Sequence, residues 1–374
     1  MNYELNEEQR IIKEAAHRFL AEACSTDFVR EMAEDEKGFT TELWNKMAQL
    51  GWMGLPFPEV YGGAGMSFLD LAVILTEMGY FCVPGPFFST VVLGGLAVLE
   101  AGSEEQKARI LPEVAAGNRL LTLAWMEEEG TSSPEGIKLR GERANDQFLL
   151  SGTKLFVPDA HVADTIICAA RTGDAATEIS LFEVDANSQG VHTTPLDTLA
   201  GDKLCEVVFD GVTVPKGNLL GETGGAWPVL NDTLLKAAVG KCAEMDGGAQ
   251  RVLEFAVGYV KERVQFDRLI GTFQAIQHHC ANMLTFADTM HFMTYCAAWK
   301  IAEGLPFEQD ASMCKAWGSE AYHKLVALGH QVLGGIGFME EHDLHLYYRR
   351  AKASEMAFGD ADFHRERVAQ SMDL

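Results

Sequence analysis

Apolar residues recur at two different periods along this chain, and the period changes twice. Up to about residue 119 the spacing is helical. Ile11, Ile12, Ala15, Phe19 and Leu20 form one stripe, and Asn6 stands before it as an N-cap with a short acceptor side chain. Leu43, Trp44, Met47 and Leu50 form a second stripe that stops at Gly51. A turn-rich stretch from Pro56 to Gly65 follows, and then Phe68–Tyr80 and Val91–Ala101 read as two further helices. From about residue 120 to 225 the segments shorten. Phe148-Leu149-Leu150 and Lys154-Leu155-Phe156-Val157 flank Ser151-Gly152, after a turn at Asn145-Asp146. Thr165–Ala169 and Ile179–Val184 are short apolar runs, and Cys205–Val214 alternates around Asp210-Gly211. About six short strands in this stretch predict a small antiparallel sheet or barrel. From about residue 226 the helical period returns, over Leu230–Arg263, Gln274–Glu303, Asp310–Leu333 and Asp343–Phe358, with a final helix from Ala361 to Gln370. Four long amphipathic helices joined by short loops predict an antiparallel bundle. The expected fold is α+β and mostly α. It has an N-terminal helical domain (1–119), a middle β-sheet or barrel domain (120–225) and a C-terminal four-helix bundle (226–374).

Composition narrows the function more than the fold. The 374 residues suit two or three domains. A net charge of −24 argues against nucleic acid or an anionic membrane as partner. It equally fits an acidic surface that only keeps the protein soluble, and a local basic site can still hold an anionic ligand. The eight cysteines are spread singly with no C-x-x-C pair, so neither a metal site nor a redox dithiol is expected. Ile166-Ile167-Cys168 looks like core in a reducing compartment. The first residues, Met1-Asn2-Tyr3-Glu4-Leu5, have no basic or apolar targeting region, and no uncharged apolar run approaches the roughly 18 residues of a membrane span. A cytoplasmic location is expected.

The richest motif lies near the end: Gln-Val-Leu-Gly-Gly-Ile-Gly-Phe-Met-Glu-Glu-His-Asp-Leu-His-Leu-Tyr-Tyr-Arg-Arg-Ala, from Gln331 to Ala351. By residues alone, Gly335-Ile336-Gly337 follows a helix and lacks a third glycine, so it reads as a helix-ending turn and not a dinucleotide fingerprint. The whole run, however, closely resembles the C-terminal signature of the acyl-CoA dehydrogenase family, flavoenzymes that desaturate acyl-CoA thioesters between Cα and Cβ. The helical, β, helical order agrees with that family over the whole chain. The resemblance implies FAD as cofactor, an acyl-CoA substrate, electron-transfer flavoprotein as acceptor, and a homo-oligomer or an α2β2 hetero-oligomer. It sets Gln331, Gly334 and Gly335 against the adenosine half of an FAD held by the neighbouring subunit. Arg263-Val264-Gln265-Phe266 resembles the family's Arg-x-x-Phe-Gly, whose Arg binds the FAD pyrophosphate across the dimer interface, and the match runs on through Gln274. A lone Arg at a helix end also suits solvent or the helix dipole. Asp267 departs from the pattern, which has Gly there.

In the β-region the resemblance is weaker. Ala124-Trp125-Met126-Glu127 and Thr131-Ser132-Ser133 stand where the family carries Thr-Glu-Pro and Gly-Ser-Asp. Met126 thus replaces the Thr that bonds the flavin ring, leaving the backbone amide to serve, and Ser132 falls in the same cofactor segment. Phe156 matches the aromatic residue that covers the flavin, although a strand aromatic packed in the core fits equally. Glu127, Glu128 and Glu129 form an unfriendly place for a phosphate. Leu50–Pro56, Glu59–Gly63 and Gly102–Lys107 also resemble family sequence and read as turn and packing residues.

Desaturation needs a base for the α-proton, and a carboxylate in a dry pocket suits the task. The family's usual base position maps to Phe358, in Ala357-Phe358-Gly359, and its alternative position maps to Ala237, with Ala238 where an Arg commonly follows. None can take a proton. Two substitutes are Glu244, two turns after Ala237 on the same helix face, and Asp360, which would equally serve as N-cap of the last helix and stands where the family contacts FAD. A third arrangement is a heterotetramer of unlike subunits in which the partner carries the base, and the Phe358-Gly359-Asp360…His364-Arg365-Glu366 ending resembles such partner-type subunits. A self-sufficient homo-oligomer with an unusual base and a non-catalytic, flavin-free paralogue complete the alternatives.

Overall fold

A computed structural model describes residues 4–374. In chain order the helices begin with α1 (Glu7–Ala23), α2 (Thr26–Glu34), α3 (Thr41–Gln49) and α4 (Phe68–Tyr80). A π-helical stretch, Phe88–Gly95, runs into α5 (Leu96–Ala101), and α6 (Glu104–Ala115) follows. The strands are β1 (Leu121–Ala124), β2 (Arg140–Ala144), β3 (Gln147–Pro158), β4 (Thr165–Arg171), β5 (Ile179–Asp185), β6 (Val191–Leu196), β7 (Leu204–Pro215) and β8 (Leu219–Leu220). Then come α7 (Trp227–Glu262), the short strands β9 (Val264–Gln265) and β10 (Arg268–Leu269), α8 (Gln274–Ala302), α9 (Glu308–Leu333), α10 (Leu344–Met356) and α11 (Ala361–Ser371). The mostly helical α+β architecture, with a sheet in the middle and a helical C-terminal part, is the one expected. No helix among the described residues is long and apolar enough to cross a membrane.

The chain forms two compact units, and the first comprises residues 1–30, 68–83 and 238–374. Asn6 caps α1 with a full capping box, its side chain accepting from the Gln9 amide while Gln9 returns a bond. Helices α4 and α7 cross almost in backbone contact. A Cβ on Gly247 would lie 1.8 Å from the Thr76 carbonyl oxygen, so only glycine fits there. Beside this crossing lie two buried carboxylates, each paired with a more exposed histidine. Glu77 meets His17 at 2.8 Å and Asp246 meets His291 at 2.8 Å. Burial raises the Glu77 carboxyl above its ordinary range.

The second unit comprises residues 31–67 and 84–237. Its sheet has eight strands in the order β6-β7-β3-β2-β4-β5-β8, with β1 parallel beside β4. Phe148, Leu150, Phe182, Val207 and Phe209 are among the side chains that fill one face. The turn at Asn145-Asp146 is a two-residue hairpin, with Ala144 opposite Gln147. Ser151-Gly152 is no turn. Strand β3 runs straight through it and pairs with β7 along its length, with a bulge at Gly152 absorbing the irregularity. Cross-strand pairing outweighs the local turn preference. Two short helices escape the periodicity reading. One is α2; the other is α6, whose first turn is closed by a Ser103–Gln106 capping box in residues read as a turn.

Candidate functional site

In the sheet unit, the segments that carry Met126 and Phe156 meet at a buried lysine. Lys154 falls on the inward parity of Phe148 and Leu150 and is fully buried. Its ammonium donates to the Glu127 carboxylate at 2.7 Å and to the Trp125 carbonyl at 3.2 Å. The Leu155 amide donates to the Met126 carbonyl at 2.9 Å. These bonds fasten the segment after β1 against β3, so Met126 and Phe156 lie close together. The expected hostility of Glu127 to an anion is corrected here. Besides Lys154, its oxygens accept the Lys138 and Leu139 amides at 3.0 Å, so its charge is spent inside the protein.

Phe156 is not a core residue. It sits in the bulge between Lys154 and Val157, with φ +54°, and the residue is 48% exposed. A bulge re-aims a side chain, and here it turns an aromatic residue outward between half-buried Leu155 and buried Val157. Ser132 is half-buried in the loop that follows, next to a Thr131–Ser133 hydroxyl contact of 3.2 Å.

In the helical unit, α7 ends in a tight hairpin. Phe266 and Asp267 both adopt positive φ between β9 and β10. Asp tolerates this left-handed conformation better than most residues, which accounts for its standing in place of glycine. Phe266 is 85% exposed and touches the Phe273 ring edge-on at 6.0 Å, and the Arg268 guanidinium covers Phe273 at 3.8 Å. Arg263 and Gln274 are exposed on the two sides of this hairpin. At the end of α9, Gln331 is exposed and the chain turns through Gly334, with φ 62° and ψ −139°, a region open essentially to glycine alone. Gly335 lacks that positive φ, and a Cβ at either glycine would meet nothing within 4 Å. No packing within this chain demands glycine at Gly335, so the cleared space faces outward.

The loop between α10 and α11 carries Phe358, buried and with φ +59°. Its main chain is held by two buried side chains, Lys315, which no motif marks, and His364, which belongs to the ending quoted above. Lys315 on α9 donates to the Glu355 carbonyl at 3.0 Å, the Gly359 carbonyl at 2.8 Å and the Ser319 hydroxyl at 2.9 Å. His364 on α11 donates from Nε2 to the Phe358 carbonyl at 2.9 Å. Burial lowers Lys315 to about 8, and burial together with the Lys315 charge lowers His364 to about 4. Lys315 shares the buried face of α9 with Ala311 and Tyr322, but nothing along the sequence names its partners.

The two substitute carboxylates are otherwise engaged. Asp360 is the N-cap of α11, accepting the Phe363 amide at 2.9 Å. Glu244 pairs with Lys241 on its own helix. Ala237 and Ala238 are fully buried. Among the described residues no group of three or more His, Cys, Asp or Glu side chains could hold a metal ion.

The glycine turn after α9, the hairpin after α7 and the exposed ring of Phe156 are the features to which the sequence resemblance assigned a flavin. Comparison makes the class definite. The chain matches the acyl-CoA dehydrogenase N-terminal domain over residues 6–118, the middle domain over 122–212 and the C-terminal domain over 224–372. It belongs to the acyl-CoA dehydrogenase family of FAD-dependent oxidoreductases. A probable acyl-CoA dehydrogenase of Bacillus subtilis is 30% identical, with all of both chains covered. Butyryl-CoA dehydrogenase from Megasphaera elsdenii is 26% identical with a TM-score of 0.93, again over the whole of both chains. A chain of the ChsE4–ChsE5 complex from Mycobacterium tuberculosis is 26% identical with a TM-score of 0.91, covering 100% of this chain and 99% of that one.

Proposed function

We propose that this chain is a subunit of an FAD-dependent acyl-CoA dehydrogenase that completes a flavin site and depends on a partner subunit for the base. One observation carries the reading. By resemblance, the family's usual base position falls on Phe358, a buried residue whose phenyl ring has no proton to exchange. The alternative position holds Ala237, and both nearby carboxylates are bound elsewhere, Glu244 to Lys241 and Asp360 to the first turn of α11. The ChsE4–ChsE5 relative is itself a complex of two differently named chains.

The residues present fit the cofactor. Phe156 offers an exposed ring beside the Met126 segment, with Ser132 further along the same loop. Arg263 and Phe266 offer a cation and an aromatic ring on the hairpin, and Gln274 stands at the start of α8. Gln331, Gly334 and Gly335 leave a cleared surface at the end of α9. By family resemblance this second set meets a flavin held by a neighbouring subunit, with Arg263 against its pyrophosphate. When bound, FAD supplies the acceptor for the hydride leaving Cβ of an acyl-CoA, and electron-transfer flavoprotein is the proposed destination of the electrons. The chain's own contribution is to hold and enclose the ring and to exclude water. Removal of the α-proton falls to the partner.

The test is anaerobic flavin bleaching with a panel of acyl-CoAs. The chain alone should bleach at least 10²-fold more slowly than the chain copurified with its native partner, as loss of a positioned base implies. Fast bleaching by the chain alone, abolished in Glu244→Gln or Asp360→Asn with FAD still bound, would sink the partner reading and name the base.

A further inference from the structure

The geometry points to Lys315 and His364 as a buried clamp on main-chain carbonyls that presents position 358 in one place whatever side chain stands there, with Lys315 as a positioning residue. The partners carry the argument. Each bond from these two side chains to the end of α10 and the loop after it ends on a backbone carbonyl: Glu355 and Gly359 for Lys315, Phe358 for His364. The remaining Lys315 proton goes to Ser319 on its own helix, so all three donors of the ammonium are used. No bond of the clamp involves the Phe358 side chain.

The loop needs such a device. Phe358 occupies the left-handed region, which a residue with a bulky side chain adopts only when its surroundings dictate it. Gly359 follows with φ +97°, and a Cβ there would lie 2.3 Å from the Phe363 ring. The last carbonyls of α10 have no partner within their helix. Lys315 brings a positive charge to this negative end of the helix dipole, where it is favoured, and its burial prevents water from competing for the same carbonyls. Asp360 then starts α11 at once by capping the Phe363 amide. The loop is thus fixed from three sides by bonds indifferent to the residue at 358.

The clamp itself rests on geometry alone. Its consequence for catalysis rests on the reading of 358 as the base position given above. If both hold, the chain has kept the machinery that presents a base while carrying a phenyl ring in its place, and Phe358→Glu should put a carboxylate where a base is useful.

Two measurements separate these points. Hydrogen exchange followed by mass spectrometry reads the amides of 356–364, among them Ala357, Phe363 and His364. Lys315→Met and His364→Leu should each accelerate exchange there at least tenfold while the rest of α9 stays protected. His364→Gln, which keeps a donor in place of Nε2, should stay within about threefold of the unmodified chain. Unchanged exchange in both Lys315→Met and His364→Leu would overturn the clamp. Should Lys315→Met fail to fold, the contrast between His364→Leu and His364→Gln decides alone. Anaerobic bleaching of Phe358→Glu by acyl-CoA then reads the consequence. Bleaching should appear, and adding Lys315→Met should slow it at least tenfold at saturating substrate with KM and flavin content unchanged. A loop that loosens as expected while Phe358→Glu stays inactive supports the clamp and counts against the reading of position 358.

Discussion

Replacing Lys154 with methionine tests how the sheet unit holds together the segments proposed to meet the flavin. Methionine matches much of the lysine stem but leaves Glu127 without its counter-ion. Breaking a buried pair by removing one partner costs about 3–5 kcal/mol. Glu127 keeps the Lys138 and Leu139 amides and is itself 11% exposed at its side chain, which places the loss near the lower end, about 3 kcal/mol. Local opening should therefore become roughly 100-fold easier around β3 and the Trp125–Glu127 segment. The reporter is the Leu155 amide, bonded to the Met126 carbonyl, together with the amides of Lys138 and Leu139. Hydrogen exchange measured peptide by peptide should show these deprotected while strands β5 and β8 keep their protection. Flavin occupancy, read from the ratio of visible to ultraviolet absorbance, should fall, because Met126 and Phe156 lose their common anchor. Pairing Lys154→Met with Glu127→Gln removes the stranded charge, and the double variant should be less destabilised than the single Lys154→Met. Exchange at Leu155 within threefold of the unmodified chain, with full flavin, would refute the reasoning.

Four other expectations follow, three from the geometry and one from the family resemblance. His364 ionises at about 4 in the folded protein against 6.5 ordinarily, so the unfolded chain takes up that proton first. The stability this represents, roughly 3 kcal/mol, is present above pH 6.5 and lost as pH falls toward 4; thermal unfolding of His364→Gln across that window should show a flatter acid limb. Lys315 acts in the opposite window: its proton is held more tightly by the unfolded chain, so the folded state gains as pH rises from about 8 to 10.5, and Lys315→Met should lack that gain. Gly247→Ala should cost about 3 kcal/mol or more by overpacking, since its Cβ would meet Thr76 and Tyr80 backbone atoms at 1.8 and 2.6 Å. Gly258→Ala on the same helix, with nothing within 4 Å, should be neutral or stabilising in the same thermal melt. Arg263→Ala should leave a folded protein that binds FAD about tenfold or more weakly, as loss of a charge-assisted hydrogen bond implies; unaltered flavin stoichiometry in equilibrium dialysis would remove Arg263 from the site.

The sequence by itself determined the parts of this protein that depend on neighbours along the chain. Helical periodicity located α1, α4 and α7 to α11 because side chains three and four apart share a face whatever packs against them. Asn6 and Asp360 could be read as caps because an N-cap bonds an amide only two or three residues away. The Ser103–Gln106 box that opens α6 was equally local and legible by the same rule. Family motifs pointed to the glycine turn and the Arg263 hairpin for a similar reason, since each is a contiguous run. The tertiary structure decided whatever depends on a partner distant in sequence. Ser151-Gly152 resembled a turn until β7 paired across it and held the strand straight. Three adjacent glutamates looked hostile to an anion until Lys154, on β3, neutralised Glu127. Phe156 could have been core or cover, and a bulge one residue long turned it outward. Lys315 carries no motif at all. Its role comes from carbonyls 40 and 44 residues away, and any residue supplies a carbonyl, so no pattern of side chains could have marked the place where that lysine is needed.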